Sequence, residues 1–183
     1  MNLSDSEKLI LVMLSDIHEK LAIKDSVDPK FVREAVYSGN AWGLKWRHPG
    51  IFDNHETSDA VRTDVLNTLD LWSFLERGYK NLSPAEKKRV ETEAAPLGKT
   101  VRFRGFDGNN EGEYINAAHF LIDFLDRFPD FKGRDLNSHM PSIDAYRRMH
   151  VVFEPMLQSL AGRELSVTEI IEILKAQIHP SNR

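Results

Sequence analysis

The chain has 183 residues, a formal charge of −4 and no cysteine. That length can bury a core without disulfides or metals. The missing thiols exclude a disulfide framework, a cysteine-based zinc site, an iron–sulfur cluster and a cysteine nucleophile. The mildly acidic balance gives no field that would draw the whole molecule onto nucleic acid or anionic lipid.

The opening "MNLSDSEK" has no basic region leading into an apolar stretch, so no signal peptide is expected and the expected compartment is cytoplasmic. Ser4 to Glu7 forms a capping box, and Leu9, Ile10, Met13, Leu14, Ile17 and Leu21 then repeat every three or four residues as one apolar helical face. The run from Leu9 to Leu14 is far too short to span a bilayer, and no other segment is longer. "DPKF" sets Asp28 as cap and Pro29 as first residue of a short helix that Gly39 stops.

"AWGLKWRHPG" spaces Trp42 and Trp46 four apart beside Lys45, Arg47 and His48. Such a pair either stacks on bases or packs into a core, and packing with the cations outward is the expected use. From Ser58 to Tyr79, the positions Val61, Val65, Leu69, Trp72, Leu75 and Tyr79 predict a central helix of about six turns. "SPAE" at Ser83 to Glu86 caps a polar helix ending before "APLG", the strongest internal boundary, which suggests lobes 1–96 and 97–183 within one domain.

"TVRFRGF" alternates like a short extended segment, too brief to found a sheet. Asn110 and Glu113 read as a capping box for a helix bearing Tyr114, Ala118, Leu121, Leu125 and Phe128 on one stripe. Ile143, Tyr146, Met149, Phe153, Met156 and Leu160 mark the next helix, and Ser166 with Glu169 caps a last one through Ile178. The fold class is therefore all-α, with about seven to eight helices in two subdomains and at most a short extended segment near 100–106.

"EKLILVML", "VYSGNAWGLKW", "FRGFDGNNEGEY", "RDLNSHMPSIDAYRRM" and "LSVTEIIEIL" together resemble the YfbU family of small bacterial proteins over nearly the whole length. The resemblance implies a multihelical fold in two subdomains, a cytoplasmic setting and self-association. It supplies no catalytic assignment.

Two polar loops hold the candidate chemistry. In "RDLNSH", Arg134 and His139 stand five apart with Asp135 and Asn137 between them. This resembles the Arg-x4-6-His signature of HEPN ribonucleases, in which His139 would move a proton at a 2′-hydroxyl while Arg134 clamps the phosphate, with RNA as substrate. The structural alternative has Ser138 capping a helix at Pro141, Asp135 pairing with an arginine and His139 satisfied at the boundary.

In "GFDGNNEGE", Asp107, Asn109 and Glu111 are oxygen ligands in search of a role. Their spacing does not match a calcium loop, and a turn followed by a cap accounts for most of it. Of Arg147 and Arg148, one is expected to bond a carboxylate on a neighbouring helix. No zincin, serine-hydrolase or phosphate-loop pattern occurs, so neither a metal nor a cofactor is expected.

The preferred expectation is a binding or regulatory protein acting through loops 105–113 and 133–141, with Asp107, Asn109, Glu111, Asp135, Asn137 and Arg147 as binding residues. Its partner is a protein or small ligand. The alternative is a metal-independent ribonuclease using His139 and Arg134. A homo-oligomer is expected because Leu71 and Phe74 fall off the main stripe of the central helix and suggest an exposed ridge.

Overall fold

In the computed structural model, which describes residues 2–24, 26–52, 56–179 and 181, the three serine–glutamate caps each close as a reciprocal pair. The Ser4 amide donates to Glu7 Oε2 at 2.7 Å while the Glu7 amide donates to Ser4 Oγ at 3.3 Å. Ser83 with Glu86 and Ser166 with Glu169 repeat the exchange. Each cap satisfies first-turn N–H groups that would otherwise lack partners, which is why these helices begin where they do.

The chain is all-α: the described residues hold nine α-helices and no strand. None of these helices is long and apolar enough to cross a membrane. They fall into two compact units, Met1–Glu56 and Thr57–Arg183. The Pro96–Gly98 turn, read from sequence as the internal boundary, lies inside the larger unit. There the chain folds back so tightly that a Cβ on Gly98 would stand 2.2 Å from the Val90 carbonyl oxygen.

The smaller unit consists of α1 (Asp5–Lys20), α2 (Pro29–Tyr37), α3 (Trp42–Arg47) and α4 (Pro49–Phe52). Among the described residues, Val32, Ala35 and Leu44 are its buried apolar residues, with Leu11, Val27, Phe31 and Phe52 packed against them. Arg33 of α2 binds the carboxylates of Asp16 and Glu19 on α1. The α1 edge that meets this core carries Leu11 and Ser15, so the apolar row expected there points elsewhere. Leu9, Ile10, Met13, Leu14, Ile17 and Leu21 are each between 51% and 66% exposed.

The tryptophan pair also departs from expectation. Trp42 is 60% and Trp46 84% exposed, because Leu44, on the opposite face of the short α3, takes the buried position. The Trp42 indole N–H donates to Asn40 Oδ1 at 3.1 Å.

The larger unit is built around α5 (Asp59–Asn81), which packs against α7 (Gly112–His119), α8 (Ile143–Ser159) and α9 (Val167–Lys175), while α6 (Pro84–Glu93) lies on α9. Val65, Leu69, Leu71 and Leu75 of α5 are fully buried. Leu71 is thus core, and Phe74 packs on Phe153 at 5.5 Å under the Arg77 guanidinium, so α5 carries no exposed ridge at these positions. Trp72, Phe103, Phe106, Phe131 and Tyr146 form a tilted and edge-on aromatic cluster in which Phe103 and Phe131 lie 5.3 Å apart.

The stripe expected after Tyr114 breaks because α7 passes into one π-helical turn over Phe120–Phe124. The wider turn changes the register. Ile122 is buried, Leu125 is exposed, and Phe120 and Phe124 stack in solvent with centroids 6.0 Å apart.

Candidate functional site

The two polar loops meet. Phe106 N–H donates to the Leu136 carbonyl at 2.9 Å and Ser138 N–H returns to the Phe106 carbonyl at 2.9 Å, forming a single parallel bridge between Phe106 and Asn137. Gly105 makes the approach possible: its φ is +88°, and a Cβ there would sit 1.9 Å from Leu136 O. Asn137 Oδ1 accepts the amides of Gly108 (3.0 Å) and His139 (2.9 Å), while Asp135 Oδ1 accepts the Asn137 amide at 2.9 Å.

Glu111 is the centre of this junction. Its carboxylate is buried and accepts four hydrogen bonds: Asp107 N–H (2.8 Å) and Ser142 Oγ–H (2.8 Å) on Oε2, Ser142 N–H (2.8 Å) and Ile143 N–H (2.9 Å) on Oε1. Two of those amides open α8, so a charge supplied from 31 residues upstream caps that helix and faces the positive end of its dipole. Burial alone would push this carboxyl up; the bonds from Ile143, Asp107 and Ser142 outweigh it and hold the group below the ordinary glutamate range.

The caps expected here from sequence are therefore replaced. Ser138 bonds the Met140 carbonyl rather than α8, and α7 begins after Glu111 with no side-chain cap. Asn110 donates through Nδ2 to Asp107 Oδ2, and Asp107 Oδ1 accepts the Asn109 amide. Asp135 serves the Asn137 amide and pairs with no arginine among the described residues.

Arg134 forms a bidentate pair with Glu76 of α5, both bonds 2.9 Å, and lies over the Phe131 ring at 4.8 Å. Glu76 Oε1 also accepts the Phe103 amide at 2.7 Å. His139 is exposed with a left-handed φ of +55°, and its imidazole has no hydrogen-bond partner among the described residues. The Asn109 side chain is exposed as well.

Arg147 reaches Asp64 of α5 at 2.7 Å, Asp144 at 3.2 Å and the Tyr114 hydroxyl at 3.2 Å, which is the interhelical carboxylate bond expected of one member of that arginine pair. Its guanidinium is held above the usual arginine range chiefly by the bond to Asp64. Arg148 donates to the Ala176 and Gln177 carbonyls at the end of α9. Among the described residues, no three acidic or histidine side chains are grouped to hold a metal ion.

A second feature lies within the smaller unit. An open cleft of about 510 Å³ runs beside α1, lined by Ile10, Leu11, Leu14, Val32, Leu44 and Phe52 among others. Its walls are almost wholly apolar. Glu7, Ser15, His18 and His48 also line it, and the Nε2 atoms of the two histidines are buried without a hydrogen-bond partner among the described residues. The size falls in the range of ligand and side-chain-accepting clefts, about 300–1,000 Å³.

One signal for this place is present in the sequence. Six apolar residues on α1 are more than the few apolar side chains of the remaining short helices can cover.

Residues 1–176 match the family model described as the YfbU domain. The chain is 27% identical over 181 residues to the UPF0304 protein PM1500 of Pasteurella multocida, covering 96% of this chain and all of the relative. It is 29% identical over 131 residues to the UPF0304 protein MJECS11 of Methanocaldococcus jannaschii, covering 69% of this chain and 72% of the relative.

Proposed function

The chain belongs to the YfbU family, and from that premise we propose that it is a non-catalytic binding and regulatory protein whose docking surface is the apolar face of its smaller unit. The observation that carries the proposal is the outward row on α1, six large apolar side chains each at least half exposed. Such a row is costly in water and becomes a source of affinity when covered.

The polar loops support the same reading from the other side. Their chemistry-bearing groups are committed: Glu111 to four donors, Asp107 and Asn137 to turn amides, Arg134 to Glu76. A nuclease using His139 and Arg134 needs a guanidinium free to grip phosphate. Here both of its arms already hold a carboxylate. Loops 105–113 and 133–141 act as a rigid joint of the larger unit, with Asn109 and His139 among their outward groups. The compartment is the cytoplasm, in keeping with a chain without cysteine.

The proposal is tested by offering purified protein a fluorescent apolar probe, anilinonaphthalene sulfonate, and separately RNA in EDTA. Probe binding by the native fold, lost in Leu14→Asp at unchanged helix content, together with intact RNA, is the expected result. RNA turnover that disappears in His139→Ala would overturn it.

A further inference from the structure

The docking surface on α1 makes no use of the aromatic side chains that α2 and α3 leave in water. Tyr37 is 74%, Trp42 60% and Trp46 84% exposed, and none of them lines the apolar cleft. With Leu44 buried, the helical step of about 100° per residue turns Trp42 and Trp46 to one side of α3, about 40° apart around the axis and about 6 Å along it. Between them they leave on the order of 300 Å² of surface, mostly indole, in water. Single exposed apolar side chains are ordinary, but two indoles on one side of one helical turn make a platform.

Trp42 is held in place. Its indole N–H donates to Asn40 Oδ1 at 3.1 Å, Asn40 Nδ2 donates to Ser38 Oγ at 3.0 Å, and the Ser38 hydroxyl donates to the Glu34 carbonyl at 2.7 Å. This chain of bonds ties one edge of the ring to the end of α2 and leaves most of the ring in water, so a flat ligand meets a side chain that is already ordered.

The segment that carries the pair has charge of one sign. From Ala35 to Phe52 the sequence contains no aspartate or glutamate, the longest such run in a chain with 28 of them. Lys45 and Arg47 alternate with the tryptophans there. Arg47 rests on the Phe31 ring at 4.5 Å and stands 3.7 Å from Asp28 Oδ2, a half-exposed pair whose guanidinium a phosphate can share.

Flat faces beside cations, in a segment without acids, suit an anion that is itself flat-faced. We propose that this side of α3 binds single-stranded nucleic acid, two bases stacking on Trp42 and Trp46 while Lys45 and Arg47 take flanking phosphates. A duplex does not fit this role, because its bases already stack on one another. The Trp42 N–H, which could otherwise read a base edge, is occupied by Asn40, so binding carries little sequence preference. With an overall charge of −4, no long-range field adds to these contacts, and the binding is local and weak. It involves no cleavage of the strand.

The test titrates purified protein at low salt with a fluorescein-labelled oligothymidylate, followed by anisotropy, and with the unlabelled strand, followed by tryptophan emission. The third tryptophan, Trp72, is buried, so quenching reports Trp42 and Trp46. Binding is expected to quench the emission, and log K to fall with log salt at a slope of about −1.4, the value for two phosphates on a single strand. Trp42→Ala and Trp46→Ala each weaken binding by about 10-fold or more, Trp46→Phe by less, and Lys45→Ala makes the slope shallower by about 0.7. All three side chains are exposed, and unchanged helix content by circular dichroism checks each fold.

No binding at low salt, binding undiminished in a protein carrying both Trp42→Ala and Trp46→Ala, or duplex DNA bound as tightly as the strand would overturn the inference. Vesicles of phosphatidylcholine and phosphatidylglycerol that quench these tryptophans where the oligonucleotide does not would make the pair a lipid contact and overturn it too.

Discussion

Replacing Glu111 tests the loop junction most sharply. Glu111→Ala leaves the amides of Asp107, Ser142 and Ile143 without an acceptor, in a place where Asp107 and Ser142 are buried. An orphaned buried donor costs about 1–3 kcal/mol, and partial hydration of the vacated site offsets some of that, so the expected loss is about 4–5 kcal/mol, at the extreme end for one substitution. Glu111→Gln keeps the acceptor oxygen for the Ser142 and Ile143 amides but turns an NH2 toward the Asp107 amide, and about 2–3 kcal/mol is expected to be lost. For a domain of this size that is a fall in Tm of about 4–12 °C.

The pH dependence follows from the sign of the shift. The Glu111 carboxyl titrates lower in the folded protein than in the unfolded chain, so its contribution is complete above the ordinary glutamate range and disappears as pH falls through the folded value. Urea titrations followed by circular dichroism at neutral and acid pH, with exposed Glu113→Gln as control, measure both effects. A Glu111→Gln protein within about 0.5 kcal/mol of wild type at neutral pH, or a deficit unchanged at pH 3, would refute the reasoning.

Three further outcomes are expected. Gly105→Ala should cost more than about 4 kcal/mol or prevent folding, since it combines a positive φ with a Cβ 1.9 Å from Leu136 O; soluble yield and Tm report it. His139→Gly should leave stability unchanged or raise it by about 1 kcal/mol, because a non-glycine residue is strained at φ +55° and the imidazole has no hydrogen-bond partner among the described residues; a clear loss by urea denaturation would point to a partner for the ring. In a double-mutant cycle, Arg134→Ala and Glu76→Ala should couple by about 1–3 kcal/mol, as expected for a half-buried bidentate pair; Arg134→Lys should recover only part, and strict additivity would show that the pair contributes no net stability.

The positions at which helices start were written locally. A serine and a glutamate three residues apart can satisfy one another only by forming the first turn, so Ser4, Ser83 and Ser166 announce their helices whatever surrounds them. Periodicity likewise gave the buried face of α5 and the aliphatic and aromatic stripe of α8.

It also gave the apolar row of α1, but not which way that row faces. Direction depends on how much apolar surface the neighbouring helices bring, and among the described residues the small core of Val32, Ala35 and Leu44 meets α1 at its Leu11 edge, where Ser15 is buried. Leu71 and Phe74 were misread for the converse reason: three helices converge on α5 and bury more of its circumference than a single stripe would predict.

Among the polar loops, sequence marked the right density of side chains and local structure assigned the turns, whereas the destination of each charge was a tertiary decision. Glu111 serves amides 31 and 32 residues away, and Arg134 finds its carboxylate 58 residues upstream. Hydrogen bonds across three or four residues are fixed by backbone geometry and can be read in one dimension. Bonds between distant segments exist only after burial has brought those segments together and made an unpaired charge too costly to leave.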